Sequence, residues 1–114
     1  VYIPTYEDVV AAHERIRPYI HRTPVLTSSY FNDRTGAELF FKCENFQKAG
    51  AFKARGASNA VFGLSEEQAA KGVATHSSGN HGLSLSYAAG RRGIKATVVM
   101  PRTAPGAKKG AVRG

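Results

Sequence analysis

The chain has 114 residues, 42% of them hydrophobic, and a formal net charge of +8. This length allows one domain with a modest core, and the composition excludes a disordered protein. The apolar runs fall far short of the about 20 residues that cross a bilayer, and the N-terminus lacks a signal-peptide layout. The 16 lysines and arginines form no dense basic tract, so the charge favours sites for small anions over a nucleic-acid surface.

We therefore expect a soluble, cytoplasmic protein with no membrane partner. The one cysteine, Cys43, cannot form an internal disulfide, which fits a reducing compartment.

Helical spacing, caps and breakers predict alternating helices and strands. Thr5 and Asp8 resemble an N-cap pair, Pro18 ends the first helix, and Gly36 stops the second. In chain order the predicted elements are a helix over about Tyr6 to Arg17, extended chain from His21 to Leu26, a helix capped by Ser28 or Ser29, a strand over Leu39 to Cys43, a helix over Phe52 to about Leu64, a short helix over Ser65 to Lys71, a strand over Val73 to Thr75, a helix from Leu83 to Gly90 or beyond, and a strand over Lys95 to Met100.

The last three of these elements form a strand, helix, strand unit. Such a unit predicts two buried, parallel strands joined by a right-handed crossover. The fold class is therefore α/β, with a parallel sheet and helices on both faces. Residues 103–109 predict a loop that enters a further helix, with Pro105 in its first turn. So few strands leave open sheet edges, which predicts a fragment of a larger protein.

The first stretch with candidate chemistry centres on Lys53, which lies between an aromatic residue and small residues where a helix begins. A lysine in a mostly apolar setting loses solvation, and its amine becomes a nucleophile toward carbonyl groups. The alternative is an ordinary solvated lysine in the first turn of a helix, since most lysines are exposed.

The second stretch runs from Ser77 to Gly82, between a predicted strand and a predicted helix. Folds of the α/β class bind ligands at the carboxyl ends of strands, beside helix N-termini that attract anions. Hydroxyl groups and backbone donors together suit a carboxylate or a phosphate. The alternative is that Ser78 or Asn80 only caps the helix.

Other signatures are absent from the sequence. Gly79 is not part of a Gly-x-Ser-x-Gly elbow, and there is no Walker loop and no Gly-x-Gly-x-x-Gly. His76 and His81 lie five residues apart, and the chain has only one cysteine. This is no metal-binding pattern, so we expect no metal site.

The two stretches together resemble the threonine dehydratase and serine racemase group of fold-type II pyridoxal-phosphate enzymes, the tryptophan synthase β-like fold. The first reads NFQKAGAFKARGA over residues 45–57, and the second reads SSGNHG over residues 77–82. The resemblance extends from residues 21–25 to residues 104–105 in the family's order, and so covers nearly all of the chain.

The resemblance implies a role for each matching residue. Lys53 would hold pyridoxal 5'-phosphate (PLP) covalently and, once released, act as the base on one face of the substrate. Phe52 would lie near the cofactor ring, and Asn80 would bind its phenolic oxygen. Ser78 would exchange a proton on the opposite face in a racemase. The substrate carboxylate would be held by Ser77, Ser78, Gly79, Asn80 and His81.

The resemblance also implies an incomplete site. Family members have about 300 residues in two domains, so residues 1–75 would begin the large domain and residues 76–114 the small domain. The family's phosphate loop, pyridine-nitrogen partner and divalent-cation ligands lie outside this chain, which alone is expected to be inactive. Ala49 and Ala51 stand where the family commonly has Thr or Ser.

The reaction that this implies is dehydration and deamination of L-threonine or L-serine to a 2-oxo acid and ammonia by a PLP-dependent ammonia-lyase. Serine racemase and threo-3-hydroxyaspartate dehydratase are alternatives that the motifs do not separate. The full-length protein is expected to be a homodimer that acts on a small amino acid, with a divalent cation as a further cofactor. The non-enzyme alternative is a basic nucleic-acid-binding module.

Overall fold

The computed structural model of the protein describes residues 1–104 and 106–113. The helices are α1 Tyr6–Ile16, α2 Ser29–Thr35, α3 Lys53–Phe62, α4 Glu66–Ala70, α5 Asn80–Arg92 and α6 Gly106–Arg113. The strands are β1 Val25–Leu26, β2 Phe41–Lys42, β3 Val73–His76 and β4 Ala96–Val99. A helix follows the predicted final loop, while Pro105 of that loop lies outside the described residues.

The predicted N-cap pair of Thr5 and Asp8 is confirmed, whereas Ser28 stands at the N-cap of α2 without a side-chain capping hydrogen bond. The Thr5 backbone N–H donates to Asp8 Oδ2 at 2.7 Å at the start of α1. Before α4, the Ser65 N–H donates to the Gln68 side chain at 2.9 Å, and the Gln68 N–H donates back to Ser65 Oγ at 3.2 Å. These reciprocal bonds satisfy backbone donors that a helix start would otherwise leave without partners.

Strands β3 and β4 pair in parallel through the α5 crossover, with Val73 opposite Ala96 and His76 opposite Val99. The predicted α/β class and the parallel pairing are therefore confirmed. The prediction that both strands are buried is wrong for this chain, because half-buried and exposed residues alternate along each strand. Helix α5 packs against the strands, and the described residues leave every second side chain open to solvent.

The core lies between α3, α5 and the sheet. Its buried residues are Ala57, Val61, Leu85 and Ala88, and Val73 and Ile94 pack against them. Helix α5, which follows β3, packs against α3, which begins at Lys53. This packing brings His81 in the first turn of α5 close to the start of α3.

Strands β1 and β2 form a separate antiparallel pair, with Val25 opposite Lys42 and Leu26 opposite Phe41. The strand predicted over residues 39–43 is shorter in the structure, because the Leu39 N–H donates to Asn32 Oδ1 at 2.9 Å instead of to a strand. No helix in the described part of the chain is long and apolar enough to span a membrane. The predicted domain division near residue 76 stays a prediction.

Candidate active site

Lys53 is the first residue of α3, and its side chain is exposed. Its Nζ lies 6.0 Å from the ring centroid of Phe52, which is itself 64% exposed. The predicted apolar, desolvated setting is therefore wrong for the described chain, because the first turn of α3 leaves this side chain open to solvent. A primary amine and an aromatic face thus stand side by side, and both are accessible to a ligand.

A depression of about 360 Å³ lies beside these two residues. Its lining joins the two motif stretches, since it includes Phe52 and Lys53 from the first and His81 from the second. A Cβ added to Gly56, another lining residue, would meet no heavy atom within 4 Å, so the α3 backbone is open here. The depression has the size of a small-molecule site.

The turn after β3 prepares the start of α5. The Gly79 N–H donates to Ser77 Oγ at 3.2 Å, and Gly79 is the N-cap of α5, without a capping side chain. The alternative role of Ser78 or Asn80 as the helix cap is therefore wrong. Since no described side chain caps this end, its backbone N–H groups are available to an anion.

The other predicted site residues lie next to the depression but not in its lining. Ser77 is half-buried and Ser78 is exposed in the turn after β3, and Asn80 is the exposed first residue of α5. The structure thus brings Phe52, Lys53 and His81 together, and it places residues 77–79 in the adjoining turn and Asn80 at the start of α5. Their roles toward cofactor and substrate stay predictions.

Gln47, which the sequence patterns do not single out, holds the loop before Lys53 in place. It is 3% exposed, and its Oε1 accepts from the N–H groups of His21 at 2.8 Å and Lys48 at 2.9 Å. Its Nε2 donates to the His21 carbonyl at 2.8 Å. One buried amide therefore ties this loop to the extended segment that follows α1.

A second connection that the sequence did not reveal is the ion pair of Glu44 and Arg55. Arg55 donates from Nε at 2.8 Å and from Nη2 at 2.7 Å, and Thr23 Oγ1 donates at 2.6 Å to the same carboxylate. The bonds from Arg55 lower the pKa of Glu44 to about 2, and the carboxylate in turn raises the pKa of Arg55. Arg55 lies two residues after Lys53, so the pair also fixes the first turn of α3.

The backbone between these two connections reverses direction. Ala49 has φ 59° and Gly50 has φ 64°, two consecutive residues in the left-handed region. Ala51 is extended and buried, and α3 starts two residues later. The turn therefore sets the position from which Lys53 starts its helix.

The described residues fit part of PLP. An accessible amine suits its aldehyde, an exposed aromatic side chain suits its ring, and an uncapped helix N-terminus suits an anionic group. No group of three or more His, Cys, Asp or Glu within the described ranges is arranged to hold a metal ion.

Comparison with known proteins agrees with this arrangement. The chain is 73% identical over 113 residues to β-hydroxyaspartate dehydratase of Paracoccus denitrificans, covering 99% of this chain and 36% of that relative. The crystal structure of serine racemase from Dictyostelium discoideum superposes with a TM-score of 0.93 at 57% identity, covering 96% of this chain and 36% of that chain. Threonine deaminase isoform 2 from Solanum lycopersicum gives a TM-score of 0.81 at 32% identity, covering 96% of this chain and 32% of that chain.

The chain spans about a third of the length of these relatives. A family model described as "Pyridoxal-phosphate dependent enzyme" matches residues 16–114. The chain therefore belongs to the pyridoxal-phosphate-dependent enzymes of fold-type II.

Proposed function

We propose that the protein carrying this chain dehydrates and deaminates 3-hydroxyaspartate to a 2-oxo acid and ammonia, with PLP as cofactor. The observation that carries this proposal is the 73% identity to β-hydroxyaspartate dehydratase along 99% of the chain. L-threonine, which the motifs first favoured together with L-serine, has weaker support. Over the matched regions this chain is 45% identical to the T.th. threonine deaminase and 32% identical to that of Solanum lycopersicum.

Serine racemase is the second candidate. Its support is the 57% identity and the TM-score of 0.93 with the Dictyostelium enzyme. Ser78 is exposed in the turn after β3, where its hydroxyl is accessible for proton exchange with a bound substrate. A racemase needs such a second proton-transfer group in addition to a lysine.

The reaction needs a base at the substrate α-carbon. When bound, PLP supplies an electron sink for the electron pair that α-proton removal leaves behind. Lys53 Nζ would hold the cofactor and, once released, take the α-proton, and Phe52 would lie beside the ring. Gln47 and the pair of Glu44 and Arg55 fix the backbone on both sides of this lysine, which keeps the base in position.

The substrate carboxylate is proposed to bind at the N-terminus of α5. The backbone N–H groups of this helix start have no capping side chain, and His81 lines the depression that contains Lys53. Charge-assisted hydrogen bonds from backbone N–H groups suit a carboxylate. Asn80 would bind the phenolic oxygen of the cofactor. We propose further that the complete protein is a cytoplasmic homodimer.

The substrate proposal is tested by incubating the complete protein with threo- and erythro-3-hydroxyaspartate, L-serine and L-threonine while measuring keto acid, ammonia and the opposite enantiomer. We expect keto acid to form fastest from hydroxyaspartate. Lys53→Ala should lower this rate at least about a thousandfold, because it removes both the cofactor attachment and the base. The control variant is Lys95→Ala, which should keep the activity. Lys95 is exposed and directly precedes β4.

Two further readouts separate the candidates. Borohydride reduction should fix the cofactor covalently on the peptide that contains Lys53. Labelling of another peptide would show that Lys53 does not hold the cofactor. Ser78→Ala should leave dehydration of hydroxyaspartate in place and abolish any racemisation of serine. Racemisation well in excess of keto acid formation would replace the dehydratase proposal by the racemase.

A further inference from the structure

A second depression, of about 540 Å³, lies where the end of α1, the following extended segment, β2 and α3 meet. We call it the basic depression. Its lining has four Lys or Arg side chains, two histidines and no Asp or Glu, and consists of His13, Arg17, Ile20, His21, Arg22, Lys42 and Arg55. A concave surface with this lining concentrates positive potential and attracts anions.

Much of this wall is held in place without a ligand. Lys42 Nζ donates to the Thr23 carbonyl at 2.7 Å, and Arg55 is held by Glu44. The His21 backbone is held on both sides by the Gln47 amide. A ligand therefore has to order few of these groups, which lowers the entropic cost of binding.

Two arginines in the lining remain able to turn toward a ligand. Arg22 is exposed and takes part in none of the ion pairs among the described residues. Arg17 pairs with Glu14 at 3.3 Å, but the two side chains are 65% and 56% exposed, and such a pair contributes little. Each guanidinium offers several donors in a fork that matches the oxygens of phosphate or carboxylate groups.

The charge balance indicates the ligand. Glu44, which is not a lining residue, offsets the charge of Arg55. The other three cationic side chains leave the depression positive, and they are Arg17, Arg22 and Lys42. Three cationic side chains, from the residue after α1, the extended segment and β2, favour a ligand with more than one anionic group. We propose that the basic depression binds a small oxyanion that carries at least two negative charges, of the pyrophosphate or polycarboxylate type.

This site goes beyond the proposed reaction, because neither Lys53 nor His81 lines it. It also accounts for part of the net charge of +8 without a nucleic-acid surface. Arg55 lines both depressions, so the two sites share one wall.

The test is calorimetric titration of the full-length protein with inorganic pyrophosphate and, separately, with citrate, at about 0.15 M ionic strength, where exposed charges are screened. We expect saturable binding of at least one probe, and the tighter of the two identifies phosphate or carboxylate as the ligand chemistry. Arg22→Ala should weaken this binding about tenfold, because a charge-assisted bidentate contact is lost. Arg17→Ala should weaken it in the same direction.

The matched control is Lys95→Ala, which makes the same change in net charge at an exposed residue outside the depression. It should change the affinity less than about twofold, since distant exposed charges are screened, and circular dichroism should show all three variants folded. Absence of saturable binding of both probes would overturn the proposal. So would an equal loss in Arg22→Ala and Lys95→Ala, or binding of a duplex oligonucleotide without binding of either probe.

Discussion

Ala49 has a left-handed backbone conformation that its side chain disfavours. The residue has φ 59° in the turn before Lys53, and this conformation costs about 1–2 kcal/mol for a residue with a Cβ. Glycine removes that cost but adds freedom to the unfolded chain. We therefore expect Ala49→Gly to leave the free energy of unfolding unchanged or to raise it by less than about 1 kcal/mol, measured by urea denaturation.

Two variants make this test specific. Ala49→Val should lower the free energy of unfolding by about 1–2 kcal/mol, since branching at Cβ is worst in the left-handed region. Ala11→Gly, at an exposed position in the middle of α1, should lower it by about 1 kcal/mol through lost helix propensity. Equal losses for Ala49→Gly and Ala11→Gly would show that the turn is not strained.

Ala49 and Lys53 show what residue types reveal and what they leave out. The residue pattern predicts Lys53 as the reactive amine and marks Ala49 as a position without a hydroxyl group. The positive φ at Ala49 and the solvent exposure of Lys53 depend on how the chain turns between Gln47 and α3. A hydrogen bond between residues 26 apart, such as that of Gln47 with His21, leaves no periodic signal in the sequence.

At the scale of elements, α5 depends on one glycine for its contact with the sheet. A Cβ at Gly82 would lie 2.8 Å from Val98 Cγ1 and 3.2 Å from Ser77 Cβ. The branched Val98 side chain has little freedom to move away. Overpacking costs about 1–3 kcal/mol and outweighs the gain in helix propensity of up to about 1 kcal/mol. We expect Gly82→Ala to lower the free energy of unfolding by about 1–2 kcal/mol.

The same helix contains a matched control at Gly90. This residue is exposed, and an added Cβ would meet no heavy atom within 4 Å. Gly90→Ala should therefore raise the free energy of unfolding by about 0.5–1 kcal/mol. Opposite signs for the two substitutions, read from urea midpoints, would establish the close contact of α5 with β4 and with the turn after β3. A gain at both positions would refute it.

Most helices were predicted more accurately than strands β1 and β2 for a physical reason. Caps such as Ser65 with Gln68 are local, so the sequence contains both partners of each bond. The extents of β1 and β2 depend on which distant groups accept their hydrogen bonds, as the Leu39 bond to Asn32 shows. Helix α5 starts at Asn80 and not at Leu83, because polar motif residues form its first turn.

At the scale of the whole molecule, the pair of Glu44 and Arg55 joins three segments that are distant in sequence. The Glu44 carboxylate accepts from Thr23 after α1, lies in the loop before Lys53, and accepts from Arg55 in α3. The side chains of Glu44 and Arg55 are 18% and 30% exposed, so water screens the pair only in part. Its loss should therefore affect the stability of the chain as a unit.

The acid dependence of unfolding tests this connection. Because the pKa of Glu44 is lowered from 4.5 to about 2, its carboxylate stabilises the fold fully above pH 4.5, and this contribution is lost as the pH falls toward about 2. At about 1.4 kcal/mol per pKa unit, the contribution is on the order of 3 kcal/mol. Glu44→Gln should lower the free energy of unfolding at pH 7 by about that amount, and it should flatten the decline between pH 4.5 and pH 2.

Glu67→Gln, which breaks an ion pair whose side chains are 73% and 85% exposed, is the control and should leave the acid profile nearly unchanged. If Glu44→Gln kept the acid profile of the wild type, the loss of stability at low pH would have to come from the protonation of other carboxylates. The pair would then not hold the three segments together.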